Sequence, residues 1–280
     1  MPNQEEIEYW NCEAGPRWRA MQQELDVFLA PITAVALRRA CVGNGEHVVD
    51  IGCGCGETAL RIARMVGAQG SVFGVDVSEP MLGRARERVM EEKLGNVRLE
   101  LADAAAFPFE PRYDLIFSRF GVMFFDDPAS AFANIRRAAR PGGRLSFACW
   151  TAPKNNPWML VPLQAATPFF PQAEKSEAPD PAAPGPFAFA DEARVRAILD
   201  AAGFSSIEIE RCEVELTLGA DAAAAARFAV HVGPTARPYS LLDAPSQQRV
   251  REAIATALAP YASARGVALP SGVWTVSARS

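Results

Sequence analysis

The sequence predicts an α/β protein built on a doubly wound, mostly parallel sheet, and three observations support this fold class. Short runs rich in valine, isoleucine and phenylalanine alternate along the chain with longer segments of helical periodicity. Glycine-rich turns separate several of these segments, as at 43–45 and 52–56. Three of the apolar runs lead into an aspartate at or near their ends. Together these features are typical of strand–helix–strand units that bind a ligand at the carboxyl ends of their strands.

The strands and helices follow from apolar periodicity. Seven segments have the length and composition of strands: 47–51, 71–76, 97–101, 113–118, 145–150, 206–218 and 273–278. Helical periodicity predicts the remaining elements: 57–65, 78–93, a helix that begins near 128, a short helix near 158–167, 191–202, 220–232 and 247–259. Residues 5–45 are also predicted to be helical. Because proline lacks an N–H group, one helix is expected to end near Pro31 and the next to run over 32–41.

The stretch 48–58 holds the strongest motif, with the pattern D-x-G-x-G-x-G between a strand and a helix. Glycine has no Cβ, so such a turn adopts unusual dihedral angles and lets a ligand lie against the backbone. The helix that begins near Glu57 adds free N–H groups at the same point. Dinucleotide-binding turns have G-x-G-x-x-G instead. Here an acid, Asp50, stands two residues before the first glycine, where it would repel a pyrophosphate and favour an ammonium group.

Acids at two further strand ends suit a nucleoside. Asp76 closes the second strand, 20 residues after Gly56. A carboxylate at that position accepts two hydrogen bonds from the vicinal hydroxyls of a ribose. Asp103 follows the third strand, so three successive strands place acids at one edge of the sheet.

With these motifs and the turn Arg140-Pro141-Gly142-Gly143 after the fourth strand, residues 40–215 resemble the class I S-adenosylmethionine (SAM)-dependent methyltransferases. The similarity is to the ubiquinone/menaquinone-biosynthesis (UbiE)-like branch. It implies a Rossmann-like seven-stranded sheet whose last strand is antiparallel, with helical and lid insertions. It also implies SAM as cofactor and a small-molecule acceptor that is methylated by in-line displacement. One alternative is a protein that binds SAM without transferring the methyl group. A second is an NAD-dependent oxidoreductase, which the glycine spacing and Asp103 disfavour.

The resemblance assigns cofactor contacts to four strand ends. In the resembled family the acid after the third strand accepts a hydrogen bond from the adenine amino group. The predicted cofactor-binding residues are Asp50, Gly52, Cys53, Gly54, Gly56, Asp76, Val77, Met81, Ala102, Asp103, Ala104, Ser118, Arg119 and Phe120.

Acceptor binding and proton transfer have fewer sequence signals. Because methyl transfer neutralises charge, a dry apolar pocket favours it. The predicted substrate-binding residues are Trp10, Met123, Phe124, Trp150 and Trp158. His231 is the candidate base, with a structural role as the alternative. Arg119 is the other candidate catalytic residue, since it would pair with an anionic acceptor. Its alternative is a structural ion pair with a nearby acid.

Composition changes mark the expected domain organisation. Residues 1–45 are predicted to form an N-terminal helical lid, and 46–218 with 271–280 the SAM-binding core. Nine of the forty residues in 151–190 are proline, which predicts an irregular lid insertion. Residues 219–270 are predicted to be a helical insertion that contributes to the substrate pocket.

The net charge, the hydropathy and the cysteine spacing argue against several classes of protein. A net charge of −5 argues against a nucleic-acid partner. No apolar run reaches the ~18 residues of a membrane span. The acidic N-terminus is unlike a signal peptide, so a cytoplasmic location is expected. The six cysteines form no C-x-x-C pair, so free thiols and no metal site are expected. Monomer and homodimer both remain open.

Overall fold

The structure is a computed structural model that describes residues 4–171 and 183–280. Its central feature is an eight-stranded sheet with the order β3-β2-β1-β4-β5-β8-β6, and β7 pairs with β8. The strands are β1 His47–Ile51, β2 Ser71–Asp76, β3 Val97–Leu101, β4 Tyr113–Arg119, β5 Ala139–Trp150, β6 Ser205–Gly219, β7 Ala262–Ser263 and β8 Gly266–Arg279. All seven predicted strands are present, and the two-residue β7 is additional. The predicted Rossmann-like α/β fold is therefore confirmed.

Strands β1 to β5 are parallel neighbours, so their carboxyl ends meet at one edge of the sheet. The last strand runs the other way. The N–H of Ser280 donates to the Gly143 carbonyl, and the N–H of Thr151 donates to the Gly272 carbonyl. Residue numbers therefore fall along β8 in the direction in which they rise along β5. This is the antiparallel last strand that the sequence predicts.

Eleven α-helices are present in the described residues. They are α1 Gln4–Cys12, α2 Ala14–Ala20, α3 Gln22–Ala40, α4 Glu57–Val66, α5 Glu79–Glu91, α6 Pro128–Arg136, α7 Pro157–Ala166, α8 Glu192–Ala201, α9 Ala222–Ala229, α10 Ala236–Ser240 and α11 Ala244–Leu258. Several begin at an aspartate whose side chain accepts a backbone N–H of the first turn, as Asp127 does from Ser130 and Asp191 from Ala193.

The core lies on both faces of the parallel strands. Val48, Val49 and Ile116 are fully buried in β1 and β4, and Leu60 and Ile62 of α4 are buried as well. Burial of both faces explains why these strands read as continuous apolar runs in the sequence.

The prediction that a helix ends near Pro31 is wrong. Helix α3 runs through Pro31 without interruption. A proline inside a helix removes one hydrogen bond, but Pro31 lies on the exposed side, where water reaches the freed carbonyl. The opposite face buries Phe28, Leu29 and Ile32, and this burial holds the helix together.

The turn predicted at 140–143 is a bulge within a strand. While β4 advances from Tyr113 to Leu115, β5 advances from Ala139 to Arg144. The intervening residues loop out, and Gly142 takes a φ of 79° that favours glycine.

The helix predicted over 220–232 ends earlier, at Ala229. His231 therefore lies beyond its end. The additional short helix α10 follows, because Gly233-Pro234 interrupts the backbone and lets a new helix start.

The chain divides into two compact units. The first comprises the described residues of Met1–Cys149, Ala182–Cys212 and Trp274–Ser280. The second comprises those of Trp150–Pro181 and Glu213–Val273. Within the second unit, the buried Asn156 accepts hydrogen bonds from Ser271 and Gly272, which ties the start of α7 to β8. Part of the predicted proline-rich lid, 172–182, lies outside the described residues, as do residues 1–3 of the predicted N-terminal lid. The roles of these segments stay predictions.

Candidate functional site

The turn after β1 depends on its three alternate glycines. Gly52, Gly54 and Gly56 have φ values of 69°, 55° and 85°, in the left-handed region where side chains with a Cβ are strained. The N–H groups of Gly52 and Cys53 both donate to the Val75 carbonyl, at 2.8 and 3.2 Å. The turn is thereby fixed to the end of β2.

Close packing behind the turn leaves no room for side chains. A Cβ on Gly52 would lie 2.6 Å from Cα of Gly121, in the loop after β4. One on Gly54 would lie 2.8 Å from Cε of Met81, and one on Gly56 3.0 Å from Cβ of Ala85. The sequence identified the three glycines but attached no role to Gly121, where a Cβ would lie 2.6 Å from the Ile51 carbonyl oxygen and 2.8 Å from Cα of Gly52.

Asp76 organises the adjoining strand end. One carboxylate oxygen accepts the N–H of Gly54 at 2.7 Å, and the other accepts that of Ser78 at 2.8 Å. Burial raises the pKa of Asp76 above its ordinary value, and the backbone donors Ser78, Gly54 and Val77 oppose that rise. A carboxylate has about four lone-pair sites, so the side chain retains capacity for a further donor.

Asp50 is fully buried, with 0% exposure. Its Oδ2 accepts a hydrogen bond from the Thr58 hydroxyl at 2.6 Å, while Oδ1 has no hydrogen-bond partner among residues 4–171 and 183–280. Burial raises its pKa from 3.8 to about 7, against the opposing effects of Thr58 and Arg119. An unpaired buried carboxylate oxygen favours a donor at this position.

The loop after β3 brings the third predicted acid to the same edge. The Asp103 side chain accepts the N–H of Ala105 at 2.9 Å. Ala102 donates to the Asp76 carbonyl, and the Ala104 carbonyl accepts from Asn134. The first contact connects the second and third strand ends, and the second connects the loop to α6.

The end of β4 carries backbone strain. Phe120 has a φ of 66°, which is uncommon for an aromatic residue, and strain of this kind clusters at functional sites. The buried Ser118 hydroxyl donates to the Ile51 carbonyl at 2.8 Å and accepts the N–H of Gly121 at 3.2 Å. Ser118 therefore ties the β4 loop to the β1 loop.

Arg119 forms an ion pair. Its Nη1 donates to Glu57 Oε2 at 2.7 Å and to Thr33 Oγ1 at 2.6 Å. The side chains of Arg119 and Glu57 are only 12% and 5% exposed. This geometry favours the structural interpretation of Arg119 over a catalytic one. Sequence reasoning did not single out Thr33, and an acid in the first turn of a helix such as Glu57 has an ordinary electrostatic explanation.

Helix α1 docks on the loop after β2. Asn11 donates to the Val77 carbonyl at 2.8 Å and accepts the N–H of Glu79 at 3.1 Å. The Ser78 hydroxyl donates to the carbonyl of Trp10 at 2.7 Å. No sequence pattern marked Asn11, because these partners are far along the chain.

Aromatic side chains cluster next to this contact. The Trp10 ring lies edge-on to Trp18 at 5.6 Å and to Phe124 at 5.4 Å between centroids. Met123 is buried in the same unit. In the second unit, Trp150 and Trp158 are buried against each other at 5.2 Å. Their predicted roles in substrate binding stay predictions.

Neither histidine is buried. His231 is exposed, with its ring edge-on to Tyr239 at 5.9 Å. His47, also exposed, hydrogen-bonds the Ser71 side chain at the amino end of β1. A general base is effective inside a water-excluded site, so exposure does not favour His231 in that role.

The cysteines of the turn are unreactive in character. Cys53 and Cys55 are buried. Burial raises the pKa of Cys53 well above its ordinary value and that of Cys55 to about 12. Across the two described ranges, no group of three or more His, Cys, Asp or Glu is placed to hold a metal ion.

The turn, the strand-end acids and the sheet order are typical of class I SAM-dependent methyltransferase domains. A family model described as "Methyltransferase domain" matches residues 48–143, which contain these groups. The chain is 34% identical over 140 residues to aklanonic acid methyltransferase DauC of Streptomyces sp. (strain C5), covering 49% of this chain and 62% of that protein. It is 35% identical over 127 residues to the ubiquinone/menaquinone biosynthesis C-methyltransferase UbiE of Serratia proteamaculans (strain 568), covering 45% of this chain and 49% of that protein. The chain thus spans about half to three fifths of these relatives.

A solved structure supports the fold beyond the matched segment. Phosphoethanolamine N-methyltransferase 2 of Haemonchus contortus, in complex with SAM, superposes with a TM-score of 0.55 over 89% of this chain and 52% of that chain, at 21% identity. At that identity the likeness concerns the fold alone. The predicted similarity to methyltransferases is therefore confirmed over residues 48–143, and this match supports SAM as the predicted cofactor.

The residues present fit SAM. The turn gives the backbone access that a nucleoside needs, Asp76 has free acceptor capacity, and Asp50 has an unpaired buried oxygen. Outside the site, none of the helices in the described ranges is both long and apolar enough to cross a membrane.

Proposed function

We propose that this protein transfers the methyl group of SAM to a small organic acceptor. The observation that carries the proposal is the junction of the glycine turn with Asp76, where the Gly54 N–H donates to the carboxylate at 2.7 Å. This contact joins the two parts of the sequence that recognise a nucleoside. Each residue assignment in the predicted cofactor site is part of the same proposal.

The separate roles of the cofactor and the protein follow from the chemistry of methyl transfer. Bound SAM supplies an electrophilic methyl group on a sulfonium. The protein's part is to hold the reactants in line and to exclude water. Asp76 is proposed to accept the ribose hydroxyls, and Asp103 the adenine amino group. Asp50 is proposed to organise the methionine end. Phe120 is proposed to line the apolar side of the reaction centre.

Acceptor binding is proposed for the aromatic groups around Trp10 and Phe124. Aromatic faces favour a flat, apolar acceptor. One relative is named for aklanonic acid and the other for ubiquinone and menaquinone biosynthesis. Aklanonic acid and quinone-type compounds are therefore the first acceptors to assay.

The test is turnover with methyl-labelled SAM and an acceptor panel. We expect S-adenosylhomocysteine to form only when an acceptor is present, with label in the product. Both histidines are exposed, which favours a second candidate, a SAM-binding protein without transfer. That candidate predicts saturable SAM binding with no labelled product for any member of the panel.

A further inference from the structure

The second half of the glycine turn is held by an arginine from another helix. Nη1 of Arg88, on α5, donates to the carbonyl of Cys55 at 2.8 Å. Cys55 stands between two glycines with positive φ, Gly54 and Gly56. Glycine-rich backbone has little conformational preference of its own, so contacts from elsewhere must select one conformation. The first half of the turn has such contacts from β2, and Arg88 supplies one to the second half.

Arg88 is in turn held by the N-terminal helices. Its Nη2 lies 2.9 Å from Oδ2 of Asp26 on α3. The two side chains are only 14% and 21% exposed, so solvent screens this pair less than a surface pair. One guanidinium thus bridges the turn and α3 with two different nitrogens, which a lysine ammonium does not reproduce in the same fixed geometry.

The carboxylate of Asp26 is itself oriented. Its Oδ2 accepts a hydrogen bond from Gln22 at 2.7 Å, and Gln22 accepts one from Arg84 of α5 at 3.1 Å. Burial raises the pKa of Asp26 while Arg88 lowers it. The contact between α3 and α5 is therefore a small network rather than one isolated pair.

We propose that Arg88 is a positioning residue for the cofactor turn and that Asp26 makes its position depend on the N-terminal helices. The Cys55 carbonyl and the Gly56 N–H belong to one planar peptide group, so a contact that holds the carbonyl also places this N–H at the start of α4. A turn released from Arg88 samples other conformations, and SAM then has to select the competent one, which lowers its apparent affinity. This inference rests on the proposed SAM site.

The test compares SAM affinity in Arg88→Met, Arg88→Lys and Asp26→Asn with the wild type by titration calorimetry, alongside melting temperatures. We expect Arg88→Met to weaken SAM binding about tenfold and to raise the KM for SAM while kcat changes less than twofold. Arg88→Lys is expected to recover part of the affinity. Arg19→Met is the matched control, because Arg19 pairs with Glu87 of the same helix α5 at 2.7 Å without reaching the turn; its SAM affinity should stay within twofold.

The double variant Asp26→Asn/Arg88→Met tests whether the effect of Arg88 on SAM binding depends on Asp26. Since Asp26 acts through Arg88, the double variant should bind SAM as Arg88→Met does. Additive losses overturn the coupling. The positioning role is overturned if Arg88→Met folds, binds SAM with wild-type affinity and shows only a lower melting temperature. If Arg88→Met does not fold, the SAM affinities of Arg88→Lys and Asp26→Asn test the positioning role instead. A wild-type protein that binds no SAM contradicts the proposed function instead, so the two failures are distinguishable.

Discussion

At the scale of single residues, the site depends on carboxylates whose neighbours differ. Asp76 accepts two backbone N–H groups and lies at the strand end, whereas Asp50 is fully buried and has one oxygen without a partner. Because their surroundings differ in this way, the two aspartates are expected to bind different kinds of hydrogen-bond donor. The first suits neutral hydroxyl donors, and the second suits a cationic donor or a bound water.

Asp76→Asn tests the ribose assignment. The substitution keeps the shape of the side chain but removes its charge and one acceptor oxygen. Charge-assisted hydrogen bonds contribute about 1.5–3 kcal/mol each, so we expect SAM affinity to fall at least about tenfold. Titration calorimetry measures this, with the exposed Asp200→Asn as control. Equal affinity in wild type and Asp76→Asn would contradict the assignment.

Asp50→Asn tests whether burial raises the pKa of Asp50, through the pH dependence of protein stability. The folded state raises the pKa of Asp50 from 3.8 to about 7, so between these pH values it keeps a proton that the unfolded chain releases. This group's contribution to the free energy of unfolding therefore falls as pH rises from about 4 to about 7. We expect Asp50→Asn to gain stability relative to wild type across that window, by an amount on the order of 4 kcal/mol at most, and to level off above it.

Urea unfolding at several pH values measures this difference. Asp200→Asn serves again as the control, and its difference from wild type should not follow the same pH profile. A flat Asp50→Asn difference between pH 4 and pH 8 would show that Asp50 ionises normally in the folded protein.

At the scale of elements, the N-terminal helices are attached to the cofactor edge at separate points. Helix α1 docks through Asn11 on the loop after β2. Helix α3 reaches the start of α4 through Thr33 and Glu57, and reaches the turn through Asp26 and Arg88. These contacts support the predicted role of residues 1–45 as a cover for the cofactor.

Asn11→Ala tests this cover. The change removes a donor to Val77 and an acceptor for Glu79, each worth about 1 kcal/mol in net stability. We expect α1 to detach more often and SAM to dissociate about tenfold faster, as measured by stopped-flow tryptophan fluorescence. The matched control is Gln4→Ala, an exposed amide on the same helix. If both variants release SAM at the wild-type rate, α1 does not retain the cofactor.

At the scale of the whole molecule, cofactor binding should stabilise the fold by mass action. A ligand at one hundred times its dissociation constant adds about 2.7 kcal/mol. For a protein of this size we expect the melting temperature to rise by about 5–10 °C. Scanning calorimetry with SAM or S-adenosylhomocysteine measures this, and NAD is the control. A shift with NAD and none with S-adenosylhomocysteine would favour the oxidoreductase alternative.

Much of the fold was predictable because its signals are local. The strands 47–51, 71–76 and 97–101 coincide with the observed β1, β2 and β3. Most residues of β1 and β2 are buried, which makes them nearly continuous apolar runs, whereas β3 alternates apolar and charged residues and has none buried. The glycine turn and Asp76 were predictable for a similar reason. Their predicted roles depend on backbone geometry and on position relative to a strand end. Both properties can be predicted from the residues next to them in the sequence.

The sequence by itself thus determined the fold class, and it predicted the cofactor and the edge of the sheet that is proposed to bind it. Only the tertiary structure decided that Arg119 pairs with Glu57, that His231 is exposed, and that Arg88 holds the turn against Asp26. It also decided that α3 continues through Pro31. The physical reason is that the backbone conformation of a turn or a strand follows largely from neighbouring residues. An ion pair between distant helices, or a helix held by its buried face, instead depends on how the folded elements pack.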